Sequence, residues 1–405
     1  MCAFRLTVAT VGVILPVVAF AQPPIPTFSR DVAPIFHRHC VSCHRPGQNV
    51  PMSLVTYKDA RPWSRSIRAR VAARTMPPWF AEDGHRQLVD RRLNDNELMT
   101  VLAWVDGGAP EGQPLDRPLR SAVEAEWQIG SPDAIFEMPV EVAIPRTGTL
   151  GVQRVVVQTG FTTERWVEAI EIRPSDPAHV HQAVARVQDR EPLSSADGEW
   201  PLSGDVLAMY ASGVDPLILP HGTALRLPAG AAIVFEVHYV TNGIASSDRT
   251  RLALRFAREA PSQEVHLIAA SAADLEIPQG EAYVQASVPI AIGPLPQPVR
   301  VLRVMPHAHR RAKSFEYRLR GADGRLETIL RVPRFNWLWQ TAYEFADPIV
   351  VPPTSTLELV GVYDNSAANK ANPDPRQAVH TGWDPARDEM LVTLAVIVTP
   401  RREPQ

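Results

Sequence analysis

Residues 231–243 read AAIVFEVHYVTNG: Ile233, Val234, Phe235 and Val237 build a β-branched and aromatic run that Asn242-Gly243 then closes. Such a run, ended by turn residues, reads as a short strand. The same texture returns in RVVVQTGF (154–161), TRLALRFA (250–257), TLELVGVY (356–363) and EMLVTLAVIV (389–398). A series of this kind over more than half the chain predicts antiparallel sandwiches, two in tandem. Proline supplies 39 of the 405 residues, about twice its usual share, which suits many short strands joined by turns. The length calls for two or three domains. A net charge of −3 gives no reason to expect nucleic acid or an acidic membrane surface as a partner.

Upstream the character changes. SRDVAPIFHRHC (29–40), RPWSRSIRARVAAR (61–74) and LNDNELMTVLAWVDGGAP (93–110) read as helices. In the last, Asn94 or Asp95 caps the start, and Gly107-Gly108 with Pro110 ends it. Residues 111–131 form a polar, proline-containing linker. At the other end, residues 1–21 combine an early arginine, a short apolar stretch and Ala19-Phe20-Ala21, the pattern of a cleaved export signal. No other apolar run is long enough to span a membrane. The expected location is therefore periplasmic or secreted, with Cys2 leaving with the signal.

That leaves Cys40 and Cys43, and they belong to one motif. Cys40-Val41-Ser42-Cys43-His44 is C-x-x-C-H. Its two thiols add to haem vinyl groups, and the histidine ligates the iron. Covalent haem c is the cofactor expected over residues 27–110. Met76, in ARTMPPWF (73–80), is the candidate second axial ligand, because its prolines fix an extended loop that presents a thioether. Met52 is the alternative. His37 and His39 read as surface residues. The arginines between 61 and 74 read as propionate partners or, for most, as a solvated face.

A second cluster lies in VLRVMPHAHRRAKSFEYRL (301–319). In a strand His307 and His309 project from one face and converge on one ion. Met390, at the mouth of the strand in EMLVTLAVIV, adds a thioether. Two imidazoles and a thioether suit Cu(I) and leave a position for O2.

Taken in order, LRLPAGAAIVFEVHYVTNG, MPHAHRRAKSFEYRLR, FNWLWQTAYEF, VYDNSAANKANPDP and GWDPARDEM resemble the copper type II, ascorbate-dependent monooxygenases. That group contains peptidylglycine alpha-hydroxylating monooxygenase and dopamine beta-hydroxylase. With CVSCHRPG and RTMPPW, the whole is similar to bacterial fusions of a c-type cytochrome domain to that module. The resemblance implies a small all-α cytochrome c domain (27–110) followed by two all-β antiparallel jelly-roll sandwiches, 132–262 and 263–402. Each sandwich would hold one copper across a solvent-filled cleft. His307, His309 and Met390 would form the catalytic copper site, and His238 would be the last of three histidines at an electron-relay copper.

The relay site is where the sequence departs from the family. The family opens that site with an adjacent histidine pair, whereas PAHVHQAVARV (177–187) offers His181-Gln182. Adjacent strand residues point to opposite faces unless the strand is distorted. His179 and His181 share a face without distortion, so His179, His181 and His238 are the alternative three-histidine set. A weakened or non-copper site, or a purely structural His179, are the other readings. His221 is an outside candidate, and His266 and His380 read as ordinary polar residues. The peptide-binding arginine, asparagine and tyrosine of the family correspond to Met305, Val392 and Leu394, so a peptidylglycine pocket is not expected.

The expectation is an exported monooxygenase that hydroxylates a C–H bond of an unknown small organic substrate with O2. It would hold one or two coppers, and electrons from ascorbate or a redox protein would enter through the haem. The alternative is a haem–copper electron carrier or copper-binding protein without oxygenase chemistry.

Overall fold

The computed structural model describes residues 24–46, 48, 50–113, 127–188, 205–292 and 298–401. The expected export signal and most of the expected linker lie outside the described residues. No helix among the described residues is long and apolar enough to cross a membrane.

Strands dominate, and one sheet organises them. Its strands run in the order Ala134–Glu137, Arg251–Phe256, Arg165–Arg173, Thr223–Leu227, Gln263–Ser271, Val392–Pro400, Val299–His307 and Tyr343–Val351. Leu217–Ile218 pairs the third of these. Two four-stranded sheets cover it. Over the first half lie Gln153–Gln158, Ala232–Tyr239, Val180–Gln188 and Asp205–Ala211. Over the second half lie Val284–Ile290, Thr356–Tyr363, Ala312–Arg320 and Leu326–Val332. Each half has its own core, one around Ile170, Leu225, Phe235 and Leu252, the other around Val304, Phe315, Tyr317 and Tyr363.

The Ala232–Tyr239 strand shows why the sequence forms this layer. All eight residues are buried, because the strand is central in its sheet and covered on both faces. Burying Ile233, Phe235 and Val237 contributes about 1.5–3 kcal/mol each. The one charge among them, Glu236, is paired with Arg154 Nη2 at 2.9 Å and Arg186 Nε at 2.7 Å. Without those guanidinium groups a buried carboxylate would destabilise the strand.

Two expectations about the fold are corrected. The β region is not two separate sandwiches. Thr223–Leu227 and Gln263–Ser271 pair in parallel, Thr223 opposite Gln263 and Leu225 opposite Val265. Gly222 O accepts from both Ser262 N and Gln263 N at the joint, so one continuous sheet runs through both halves.

Nor is there an all-α domain at residues 27–110. The α-helices there are short: Ala33–His39, Tyr57–Ala60, Ser64–Ala72 and Asp95–Asp106. Asp95–Asp106 starts at Asn94 with a reciprocal capping box to Glu97 and stops at Gly107, as its sequence predicts. Between the last two helices the chain is extended. Pro77 and Pro78 withhold backbone donors from any helix, and the segment joins the second β half instead. Glu82 N donates to Arg331 O at 2.9 Å, Val89 N to Glu344 O at 2.9 Å and Ala346 N to Gln87 O at 2.9 Å. Trp79 packs edge-on against Tyr343, with ring centroids 5.5 Å apart. A small helical core around Phe28, Phe36 and Trp104 remains, tied to the β region by this arm.

Candidate metal centre

The Val299–His307 strand delivers His307 at its last residue and His309 just beyond, both essentially fully buried. Its pairing with the Val392–Pro400 strand ends with His307 facing Val392, and Met390 lies two residues before that strand. Met390 is buried, and its carbonyl accepts the Tyr363 hydroxyl at 2.9 Å. Glu389 fixes the turn. Its carboxylate accepts the backbone N–H groups of His309, of Arg311 at 2.7 Å and of Met390 at 3.1 Å. Burial of Glu389 pushes its carboxyl up to about 7.

The other half contributes His181. The pairing of Val180–Gln188 with Ala232–Tyr239 slips by one residue there: Val180 faces Tyr239, but Gln182 faces His238. His181 is the extra residue of this β-bulge, a device that re-aims a side chain. Its ring centroid lies 5.8 Å from that of His307, 5.6 Å from that of His309 and 5.6 Å from that of His238. One nitrogen each from His181, His307 and His309 lies within 4.8 Å of the others. These three residues form a group that could hold a metal ion.

The nitrogens are available. His181 Nε2, His238 Nδ1, both nitrogens of His307 and His309 Nε2 are buried with no hydrogen-bond partner among the described residues. The opposite nitrogen of His309, Nδ1, is 3.2 Å from Asp388 O, which fixes the tautomer and points Nε2 at the centre. Desolvation by burial holds His307 down to about 3 and His238 down to about 4. The same burial, reinforced by neighbouring imidazoles, holds His181 and His309 well below the ordinary histidine value. All four rings are therefore neutral near pH 7, the form that ligates. Nitrogens this close would need only small side-chain rotations to close on a shared ion.

His179 is placed elsewhere. Its Nδ1 is 2.6 Å from Asp176 Oδ2 and its Nε2 is 3.2 Å from Ile244 O. Both nitrogens are engaged in holding a turn, so the set His179, His181 and His238 is not assembled. Gln182 is buried with Oε1 unpartnered. His266 is exposed with Nε2 on Thr399 Oγ1 at 3.1 Å, and His221 and His380 are exposed.

Sequence reading missed Glu389 and Gln340. Gln340 stands beside His307 and donates to Ala308 O at 3.2 Å and Trp337 O at 2.9 Å. FNWLWQT carried the resemblance without a role for its glutamine. Arg310, stacked on Trp337 at 4.1 Å, adds positive charge that disfavours protonation of His181.

At the other motif, Cys43 N and His44 N both donate to Cys40 O, at 3.1 and 2.8 Å, which winds C-x-x-C-H into a tight turn. Burial pushes the Cys40 thiol up to about 12 and raises that of Cys43 as well. His44 is buried, with Nδ1 3.2 Å from Met52 O, leaving Nε2 as the available donor. Met52 thus orients His44 by its carbonyl and packs its side chain into the helical core. Met76 is half-buried at the start of the arm. His39, expected at the surface, is instead held between Arg91 O and Glu97 Oε1, at 3.2 Å each.

A cavity lies between the C-x-x-C-H turn and the β region. Cys43 and Arg45 border one side, and Met209, Tyr210, Met305 and Leu394 the other.

No protein-family model matches the sequence, and no curated protein matches it. Solved structures give weak likenesses. The major capsid protein P2 of bacteriophage PM2 shares 9% identity over 66% of this chain and 98% of its own, with a TM-score of 0.28. An infectious bursal disease virus structure, Gt strain, shares 12% over 66% and 72%, at 0.17. An oxalate decarboxylase of Bacillus subtilis shares 8% over 67% and 80%, at 0.13. Scores this low carry no argument about fold family or function, and the reading of the centre rests on its own residues.

Proposed function

We propose that the chain is an exported copper oxidoreductase that hydroxylates a C–H bond with O2, drawing electrons through a haem c on Cys40 and Cys43. One observation carries the reading: buried, neutral imidazoles from both β halves aim partnerless nitrogens at one point. Met390 stands just before the adjoining strand, Val392–Pro400. Imidazoles with a thioether favour copper over hard cations. Bound copper would supply one-electron chemistry with O2, and the haem a covalently held electron source.

The reaction balances as follows. One oxygen atom enters the C–H bond and the other leaves as water, with two electrons and two protons drawn from an external donor such as ascorbate or a redox protein. The chain's own residues prepare the site. Glu389 and Asp388 O set the orientation of His309, and burial keeps the ligating nitrogens unprotonated. The end of the Val299–His307 strand and the bulge at His181 bring the halves' ligands together. His44 Nε2 and the Met76 thioether are the residues that would hold the haem iron. Cys43 and Met305, two residues from His307, border one cavity, which supports a short path between the two centres.

The second reading, a haem–copper electron carrier, is favoured by Gln182, which stands opposite His238 where the resemblance asks for an imidazole. Metal and haem analysis of the exported protein, with O2 uptake in the presence of ascorbate, separates the two. The oxygenase reading expects one haem and one copper per chain, copper loss in His181→Ala, and O2 uptake with a hydroxylated product. Copper and haem that cycle without O2 uptake would establish the carrier. Absence of both cofactors would remove both readings.

A further inference from the structure

The four imidazoles of the cluster are not equally shielded. His307, His309 and His238 are 1%, 0% and 3% exposed, whereas His181 is half-buried. A molecule in solution therefore meets the centre on the side of His181. Two indoles stand beside the cluster. The Trp337 ring centroid lies 6.2 Å from that of His181, and that of Trp383 lies 6.2 Å from that of His238. Both tryptophans are half-buried, so each leaves part of its ring at the surface next to an imidazole.

One cation completes this rim. Arg310 follows His309 directly and holds its guanidinium over the Trp337 ring at 4.1 Å, close enough for its charge to act on His181. Among the described residues it makes no ion pair, and its Nε is buried with no hydrogen-bond partner. The carboxylate that acts on it from a distance is Asp384. That group is engaged elsewhere, by Ala386 N at 2.9 Å and Thr149 Oγ1 at 3.3 Å. Partly burying a guanidinium without a carboxylate costs free energy, and a metal ion on neutral imidazoles would add positive charge beside it. An anion seated at the rim offsets both.

We propose that the rim formed by Arg310, Trp337 and Trp383 binds a small aromatic carboxylate. The carboxylate lies on the Arg310 guanidinium, whose planar fork matches its two oxygens. The ring lies against the indoles, which favour a planar partner through offset or edge contacts, and covers the open side of His181. As the substrate class of the centre this rests on the oxygenase reading. Binding itself does not.

The probe is benzoate, titrated calorimetrically into the full exported protein without O2 or electron donor. Saturable one-to-one binding is expected, with benzyl alcohol and benzylamine each weaker by at least about tenfold, the value of one charge-assisted hydrogen bond. Acetate, which lacks the ring, should bind about threefold or more weakly than benzoate. Arg310→Gln should weaken benzoate to the level of benzyl alcohol. Trp337→Leu, which leaves the charge in place, should narrow the gap between benzoate and acetate. Copper content should be unchanged in both variants, because neither residue is a ligand. Equal affinity for benzylamine, indifference to both substitutions, or no saturable binding would overturn the proposal. A protein that binds benzoate yet takes up no O2 keeps this site and loses the oxygenase reading. One that hydroxylates other compounds and ignores benzoate does the reverse.

Discussion

Asp176 separates two histidines that stand only two residues apart. It holds His179 through Nδ1, while His181, turned by the bulge, faces the other half of the molecule. Replacing His179 by alanine should leave copper content unchanged and destabilise the fold by about 1–3 kcal/mol, because Asp176 and Ile244 O lose a partner. Copper analysis beside urea denaturation checks both parts. The cluster also makes a pH prediction for the metal-free protein. In the unfolded chain each histidine takes its proton near 6.5, whereas His307 folded does so only near 3 and His238 near 4. Across that interval the unfolded state binds more protons. Stability is therefore full above about pH 6.5 and falls as the pH drops toward 3. His307→Phe should flatten the decline, read as urea midpoints between about pH 7 and about pH 5. A variant as steep as the parent would show that burial does not suppress this protonation.

At the scale of the element, the arm after Met76 is the piece the protein uses in an unexpected way. Trp79→Ala removes the contact with Tyr343 and should cost about 2 kcal/mol, from lost apolar burial and the aromatic pair. It should also raise hydrogen exchange at Val89 N and Ala346 N, the amides that stitch the arm to its neighbour. Exchange unchanged at both amides would mean that the arm is held elsewhere. The helix Asp95–Asp106 was legible because its signals are local: Asn94, Glu97 and Gly107 lie within fourteen residues of one another. The strands were legible for the same reason, from β-branched runs closed by glycine or asparagine. The arm was not, since the groups that satisfy its backbone, on Ile329, Arg331, Glu344 and Ala346, lie more than two hundred residues away. His307 and His309 could be picked out as candidate ligands by residue type and spacing. That His181 stands with them depends on a one-residue slip against His238, which leaves no trace in composition or periodicity.

For the whole molecule, the parallel pairing of Thr223–Leu225 with Gln263–Val265 decides how the halves behave. Two sandwiches joined only by a tether would melt independently. Halves that share one hydrogen-bonded sheet should unfold together, so calorimetry should show a single transition for the β region, and two resolved β transitions would contradict this. The same three residue pairs have a mechanical meaning. Domains joined by a flexible linker open and close around their ligands, but here backbone hydrogen bonds cross the boundary and no swivel exists at that point. The gap between His181 on one side and His307 on the other is set by the fold, as the span of an arch is set by its keystone. Traffic to the centre must then pass by side-chain and loop movement, not by the parting of the two halves.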